Sequence, residues 1–103
     1  MTKDYCVEKC PVEQVVNIIG GKYKIMILYH LSQQSVLRFN QLLRILSPIS
    51  HRTLARQLKE LEMSGLVLRK EFDEVPPKVE YRLSPTGESL YTILEQLEHW
   101  GLS

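Results

Sequence analysis

Ser50-His-Arg-Thr-Leu-Ala-Arg-Gln-Leu-Lys-Glu-Leu-Glu-Met-Ser-Gly65 faces two directions at once. Leu54, Leu58 and Leu61 recur at i, i+4 and i+7, the spacing of one stripe on an α-helix. At about 100° per residue, Arg52, Arg56 and Lys59 fall roughly half a turn away, so their long side chains extend together from the opposite face. Ser50 is suited to cap the start, its hydroxyl accepting from one of the first backbone N–H groups, and Gly65 sits where a left-handed residue would end the helix. Taken alone, the stretch reads equally as an ordinary amphipathic surface helix with a solvated charged face. Its neighbours decide between the two.

Upstream, Phe39, Leu42, Leu43 and Leu46 stand at helical spacing, and Ser47-Pro48-Ile49 separates this short helix from the next. Proline cannot continue the first helix and Ser50 opens the second, so a turn of about four residues joins them. That is the connection of a helix-turn-helix, expected over residues 39–64. Val36, Leu37 and Arg38 are a candidate short strand. Downstream of Gly65 the period changes to two: Leu66, Leu68 and Phe72 alternate with Val67, Arg69 and Glu71, and Val79, Tyr81 and Leu83 with Lys78, Glu80 and Arg82. A hairpin is expected over 66–83, with Pro76 and Pro77 in its loop, where no ladder N–H is required. A helix-turn-helix followed at once by a hairpin is the winged-helix arrangement. The fold class is therefore α+β and mostly helical, a winged helix-turn-helix with a two- or three-stranded wing.

Toward the ends, residues 1–9 are polar and expected to form a flexible arm. Cys10-Pro11 opens a helix with proline at its first position and Val12, Val15, Val16 and Ile19 as its apolar stripe, and Gly20-Gly21 ends it. From Lys22 to Leu31 the chain is apolar nearly all round. A buried strand is one reading of that run, but the Gly-Gly start and the length favour a central helix. Ser84-Pro85 opens a long helix expected over 85–100, carrying Leu90, Ile93, Leu94, Leu97 and Trp100, with Tyr91 widening the stripe. So wide a face exceeds what a small domain can cover, and part of it is expected to pack against a second subunit.

At 103 residues the chain is one domain, 1–103, of ordinary globular composition with 44% apolar and 24% charged residues. No apolar run approaches the ~20 residues of a membrane span and the start lacks a signal peptide's apolar region, so no membrane partner and a cytoplasmic location are expected. The net charge of +1 conceals a polarised chain. Between Gln14 and Lys59 there is no acidic residue, against Lys22, Lys24, Arg38, Arg44, Arg52, Arg56 and Lys59; beyond Lys59 acids outnumber bases. A phosphate backbone is an obvious target for the positive part. His30, His51 and His99 are too scattered to suggest a metal site, and no cofactor is implied. With no nucleophile–base pair, phosphate-cradling glycine loop or spaced catalytic carboxylates, an enzyme is not expected.

Cys10-Pro-Val-Glu13, Ile18-Ile-Gly-Gly-Lys-Tyr23, Arg38-Phe-Asn-Gln-Leu42, Ile49-Ser50, Leu58-Lys-Glu-Leu-Glu-Met-Ser-Gly-Leu66 and Val75-Pro-Pro-Lys-Val-Glu-Tyr81, in this order and spacing, resemble the HxlR-type winged-helix transcriptional regulators, distant relatives of the MarR type. The resemblance spans Cys10 to Gly101. It implies a homodimeric regulator of operator DNA, most simply a repressor, whose N- and C-terminal helices form the interface. Val12, Val16, Leu90, Ile93, Leu94, Leu97 and Trp100 are the residues expected there. It also implies thiol sensing of an oxidant or electrophile in some members, through the cysteine before the Pro-Val pair, which is Cys10. Tyr23 departs from the usual tryptophan, and no cysteine follows Cys10, so a disulfide to a C-terminal thiol of the partner is not available.

Roles follow from side-chain chemistry. Arg52, Thr53, Arg56 and Gln57 are expected in the major groove, since arginine pairs bidentately with guanine and glutamine with adenine. Arg38, Asn40, Gln41, Ser50, His51 and Lys59 are expected to contact phosphate or backbone, His51 being equally readable as a passive helix-start residue. Arg69 and Lys78 lie on the wing strands within reach of a minor groove, whereas Asp73 and Glu74 at the tip would repel DNA. Cys10 is expected at a helix N-terminus, which favours a thiolate, with Cys6 as a resolving thiol; a silent Cys10 is the other reading. Two functional alternatives stand beside DNA regulation through a thiol. One is a winged-helix protein-interaction module, which the acid-free run disfavours, and the other a metal-responsive repressor.

Overall fold

The computed structural model describes residues 10–103, and the arm at 1–9, with Cys6, lies outside the described residues. The order of elements is α1 (Pro11–Ile19), α2 (Lys22–Gln34), β1 (Leu37–Arg38), α3 (Phe39–Ile45), α4 (His51–Met63), β2 (Val67–Phe72), β3 (Lys78–Leu83), α5 (Pro85–Glu88) and α6 (Tyr91–Leu102). It is a winged helix-turn-helix, with α3 and α4 as the helix pair and the sheet as the wing.

The apolar run after Gly-Gly is helical. Ile27, Leu28 and Leu31 of α2 are buried, Tyr23, Ile25, Met26 and Tyr29 pack half-buried around them, and α2 lies against α4, β3 and α6. Leu42 and Leu46 from the α3 segment, Leu54, Leu58 and Leu61 from α4, and Val67 from β2 complete the fully covered core. Each such aliphatic side chain contributes roughly 1.5–3 kcal/mol by leaving water, so the leucine stripe of α4 alone anchors that helix strongly. Between α3 and α4, Ile49 turns inward and its N–H donates to the Leu46 carbonyl at 3.1 Å. Ser50 caps α4, accepting from the Thr53 N–H at 3.0 Å. Gly65 ends the helix at φ 79, a conformation in which a side chain would be strained.

The wing has three antiparallel strands in the order β1-β3-β2, so the short segment before α3 does pair, with Leu37 opposite Tyr81. The phase of β2 differs from the period-two reading. Val67 is buried and Leu68 is 48% exposed. Leu66 and Val67 are both buried, the Leu66 N–H returning to the Leu61 carbonyl at 3.1 Å as α4 ends, and beyond Val67 the strand is exposed as far as half-buried Phe72, so β2 carries no two-residue alternation of burial.

The C-terminal helix also differs from the single helix expected over 85–100. It opens at Ser84-Pro85 as read, but α5 stops at Glu88 and α6 begins at Tyr91. At the break the Ser89 hydroxyl donates to the Thr86 carbonyl, a local bond that competes with helix continuation. Gly87 pins α5 to the wing base: a Cβ there would lie 2.2 Å from the Leu66 carbonyl oxygen. Leu94, expected at a subunit interface, is only 2% exposed and belongs to the chain's own core, because α6 packs on α2 along that edge. Leu90 is half-buried against the same core.

Candidate nucleic-acid interface

With Leu54, Leu58 and Leu61 inward, α4 turns Arg52, Arg56 and Lys59 outward, and all three are exposed. Thr53 and Gln57 flank this face half-buried, and the Thr53 hydroxyl accepts from Ser50 Oγ at 2.9 Å as part of the cap. His51 opens the helix and is exposed, its ring tilted against that of Phe39 with centroids 4.5 Å apart. The imidazole thereby ties the first turn of α4 to the first residue of α3.

Arg38, at the N-cap of α3, and Asn40, in its first turn, are exposed, while the Gln41 side-chain oxygen accepts the Arg38 N–H at 2.8 Å. That bond closes the first turn of α3, and Gln41 as a whole is exposed. Arg44, a member of the acid-free run not singled out in the sequence reading, is also exposed in the last turn of α3.

The two wing cations sit on opposite faces of the hairpin. Arg69 is paired across the ladder with Tyr81, on the α4 side, and shares a cleft of about 300 Å³ with Ala55, Lys59, Glu62 and Tyr81. A hydrogen bond to Tyr81 holds its guanidinium above its ordinary pKa, and Glu71 lies 3.4 Å from it. Lys59 and Arg69 thus carry the basic face of α4 onto the wing. Lys78 lies opposite Phe72, its ammonium 4.4 Å from that ring's centroid, 3.7 Å from Glu80 and 3.9 Å from Glu74. Two carboxylates and an aromatic face therefore compete with any phosphate for it. Lys70, which the sequence reading passed over, lies over the same ring at 5.0 Å.

One charge of the acid-free run leaves the interface altogether. Lys24 pairs with Glu60 at 2.7 Å, and Lys24 holds the Glu60 carboxyl below its ordinary pKa. A lysine inside an otherwise apolar helix was the available signal, since such a residue requires a partner.

Away from this face, α1 has no buried residue; Val12 and Val16 are 70% and 55% exposed, and on α6 Ile93, Leu97 and Trp100 are exposed as well. Cys10 stands at the N-cap of α1, half-buried, with its carbonyl accepting the Gln14 N–H. Among the described residues no three His, Cys, Asp or Glu side chains converge as metal ligands, and no helix is long and apolar enough to cross a membrane.

Comparison with known proteins adds independent findings. The model of the HxlR-like helix-turn-helix family matches residues 18–103. An HTH-type transcriptional regulator of Halalkalibacterium halodurans is 45% identical over 96 residues, covering 93% of this chain and 85% of the relative. The HTH-type transcriptional regulator YdzF of Bacillus subtilis is 41% identical over 96 residues, 93% of this chain and 88% of the relative. Among solved structures, the redox regulator HypR in its oxidised form superposes with a TM-score of 0.83 at 44% identity, covering 89% of this chain and 94% of that one. Its reduced form gives the same score and identity.

Proposed function

The chain belongs to the HxlR-like helix-turn-helix family, whose members among its relatives are transcriptional regulators and not enzymes, and on that premise we propose that it is a homodimeric, sequence-specific DNA-binding repressor of the cytoplasm. The observation that carries this reading is the division of α4: Leu54, Leu58 and Leu61 are held in the core while Arg52, Arg56 and Lys59 stand clear of the protein on the other side. In this reading α4 enters the major groove, where Arg52, Arg56 and Gln57 read base edges and Thr53 stands beside them. Ser50, His51, Lys59, Arg38, Asn40 and Gln41 position the helix on the sugar-phosphate backbone. Arg69 extends the contact from the wing, with Lys78 a weaker contributor because of Glu74 and Glu80.

Dimerisation is supported by the apolar surfaces of α1 and α6, through Val12, Val16, Ile93, Leu97 and Trp100. Two copies of α4 about one DNA turn apart, ~34 Å, then match a roughly palindromic operator. Control through Cys10 is supported by its place at the start of α1 and by the likeness to a solved redox regulator. Oxidation to a mixed disulfide with a small thiol, or pairing of N-terminal cysteines across the dimer, would change the packing of α1 and with it the spacing of the reading helices.

The test is a gel-shift titration of the purified protein on the DNA flanking its own gene, beside a scrambled duplex of equal length. A retarded band with the flanking fragment alone is expected. Absence of any shift would leave a protein-docking role for the same fold.

A further inference from the structure

Lys24 interrupts the apolar surface of α2, and only 16% of its side chain is exposed. Its partner is on α4: Nζ lies 2.7 Å from Glu60 Oε1, whose side chain is 45% exposed. Glu60 follows Arg56 by four residues, so the two side chains are neighbours on the helix surface and can pair. Both cations act on that carboxyl. The hydrogen bond and charge of Lys24 hold it below its ordinary pKa, opposed by desolvation and joined by the weaker pull of Arg56. Among the described residues it is Lys24, not Arg56, that makes the ion pair. An arginine paired to a carboxylate on its own helix must break that pair before it can meet a base or a phosphate, which weakens the contact.

We propose that Lys24 is a positioning residue for DNA binding: it draws the Glu60 carboxylate toward α2 and leaves the Arg56 guanidinium open to DNA. This rests on the reading of α4 as the DNA-binding helix. Lys24 itself touches no DNA in this arrangement; its charge acts through Glu60.

The full chain carrying Lys24→Met, Lys24→Arg, Glu60→Gln or Lys24→Met with Glu60→Gln is titrated against a labelled duplex from the region flanking its own gene and against a scrambled duplex. Lys24→Met is expected to weaken specific binding by about fivefold, a fraction of the value of one arginine contact. Lys24→Arg should restore it, and the double variant should return to within about twofold of Glu60→Gln, since removing the carboxylate removes the competition. A merely structural role for Lys24 would leave the double variant as weak as the single one, and that result overturns the proposal, as does wild-type affinity in Lys24→Met. Should Lys24→Met fail to fold by circular dichroism, Glu60→Gln alone decides: binding equal to or tighter than wild type upholds the proposal, and weaker binding overturns it. If the wild type discriminates neither duplex, the reading of α4 falls and the positioning role falls with it; a discriminating wild type with an unaffected Lys24→Met removes the positioning role alone.

Discussion

The Ser84 hydroxyl donates to the Gly65 carbonyl at 2.6 Å and so joins the end of α4 to the end of the wing. Ser84 Oγ also accepts the Gly87 N–H at 3.0 Å, and the Ser84 N–H donates to the Leu66 carbonyl at 3.0 Å. Three elements, α4, β3 and α5, therefore converge on one buried side chain. Alanine there leaves a carbonyl and an N–H without these partners, so Ser84→Ala should lower unfolding free energy by about 1–3 kcal/mol, read from the midpoint of a urea titration at unchanged slope. A midpoint equal to wild type would show that the junction is held by packing alone.

Arg56 is exposed near the middle of α4, away from the capping bonds of its first turn. Arg56→Ala should cost ~1–3 kcal/mol of specific binding and relax preference at one base position, if its guanidinium meets a guanine. Equal losses on the flanking duplex and a scrambled one would make it a phosphate contact.

The fold of α4 is legible in the sequence because its signals are local. The leucine spacing of α4, the Ser50 cap and Gly65 all lie within one stretch, and each is found in the role its chemistry suggests. What escaped depends on residues brought together from afar or on a junction. Lys24 looked like one more cation until α2 was packed on α4 beside Glu60. The period-two pattern after Gly65 does not carry into burial, because Leu66 and Val67 are both covered where α4 meets the wing while most of β2 is exposed. The engagement of Lys78 by Glu74, Glu80 and Phe72 requires the hairpin register, which the sequence does not display. Leu94 looked like its neighbours Ile93 and Leu97, and only the line of contact between α6 and α2 separates a core residue from surface ones.

Leu97 is 49% exposed on α6 and tests the proposed dimer from outside the buried core. Leu97→Glu would bury a charge in an apolar interface, so the variant should sediment as a monomer at concentrations where wild type is a dimer, with its thermal unfolding otherwise cooperative. Monomeric protein should also bind the flanking duplex more weakly, since each subunit would reach one half-site only. A Leu97→Glu dimer would move the interface elsewhere.

Cys10 offers a separate measurement. A disulfide-forming oxidant or a quinone-like electrophile should release DNA from wild type and leave Cys10→Ser bound, with mass spectrometry locating the modification. Equal release from both proteins would remove Cys10 from control and leave it a structural thiol.

Discrimination between DNA sequences, followed as a function of salt, reaches the reading of α4 most directly. Fluorescence anisotropy of the flanking and scrambled duplexes between ~50 and ~200 mM salt should show affinity falling steeply, with a log–log slope of roughly −0.9 per phosphate neutralised. The flanking duplex should be preferred by about a thousandfold or more at physiological salt. Affinity that is flat with salt and equal for the two duplexes would contradict the assignment of Arg52, Arg56 and Lys59 to DNA.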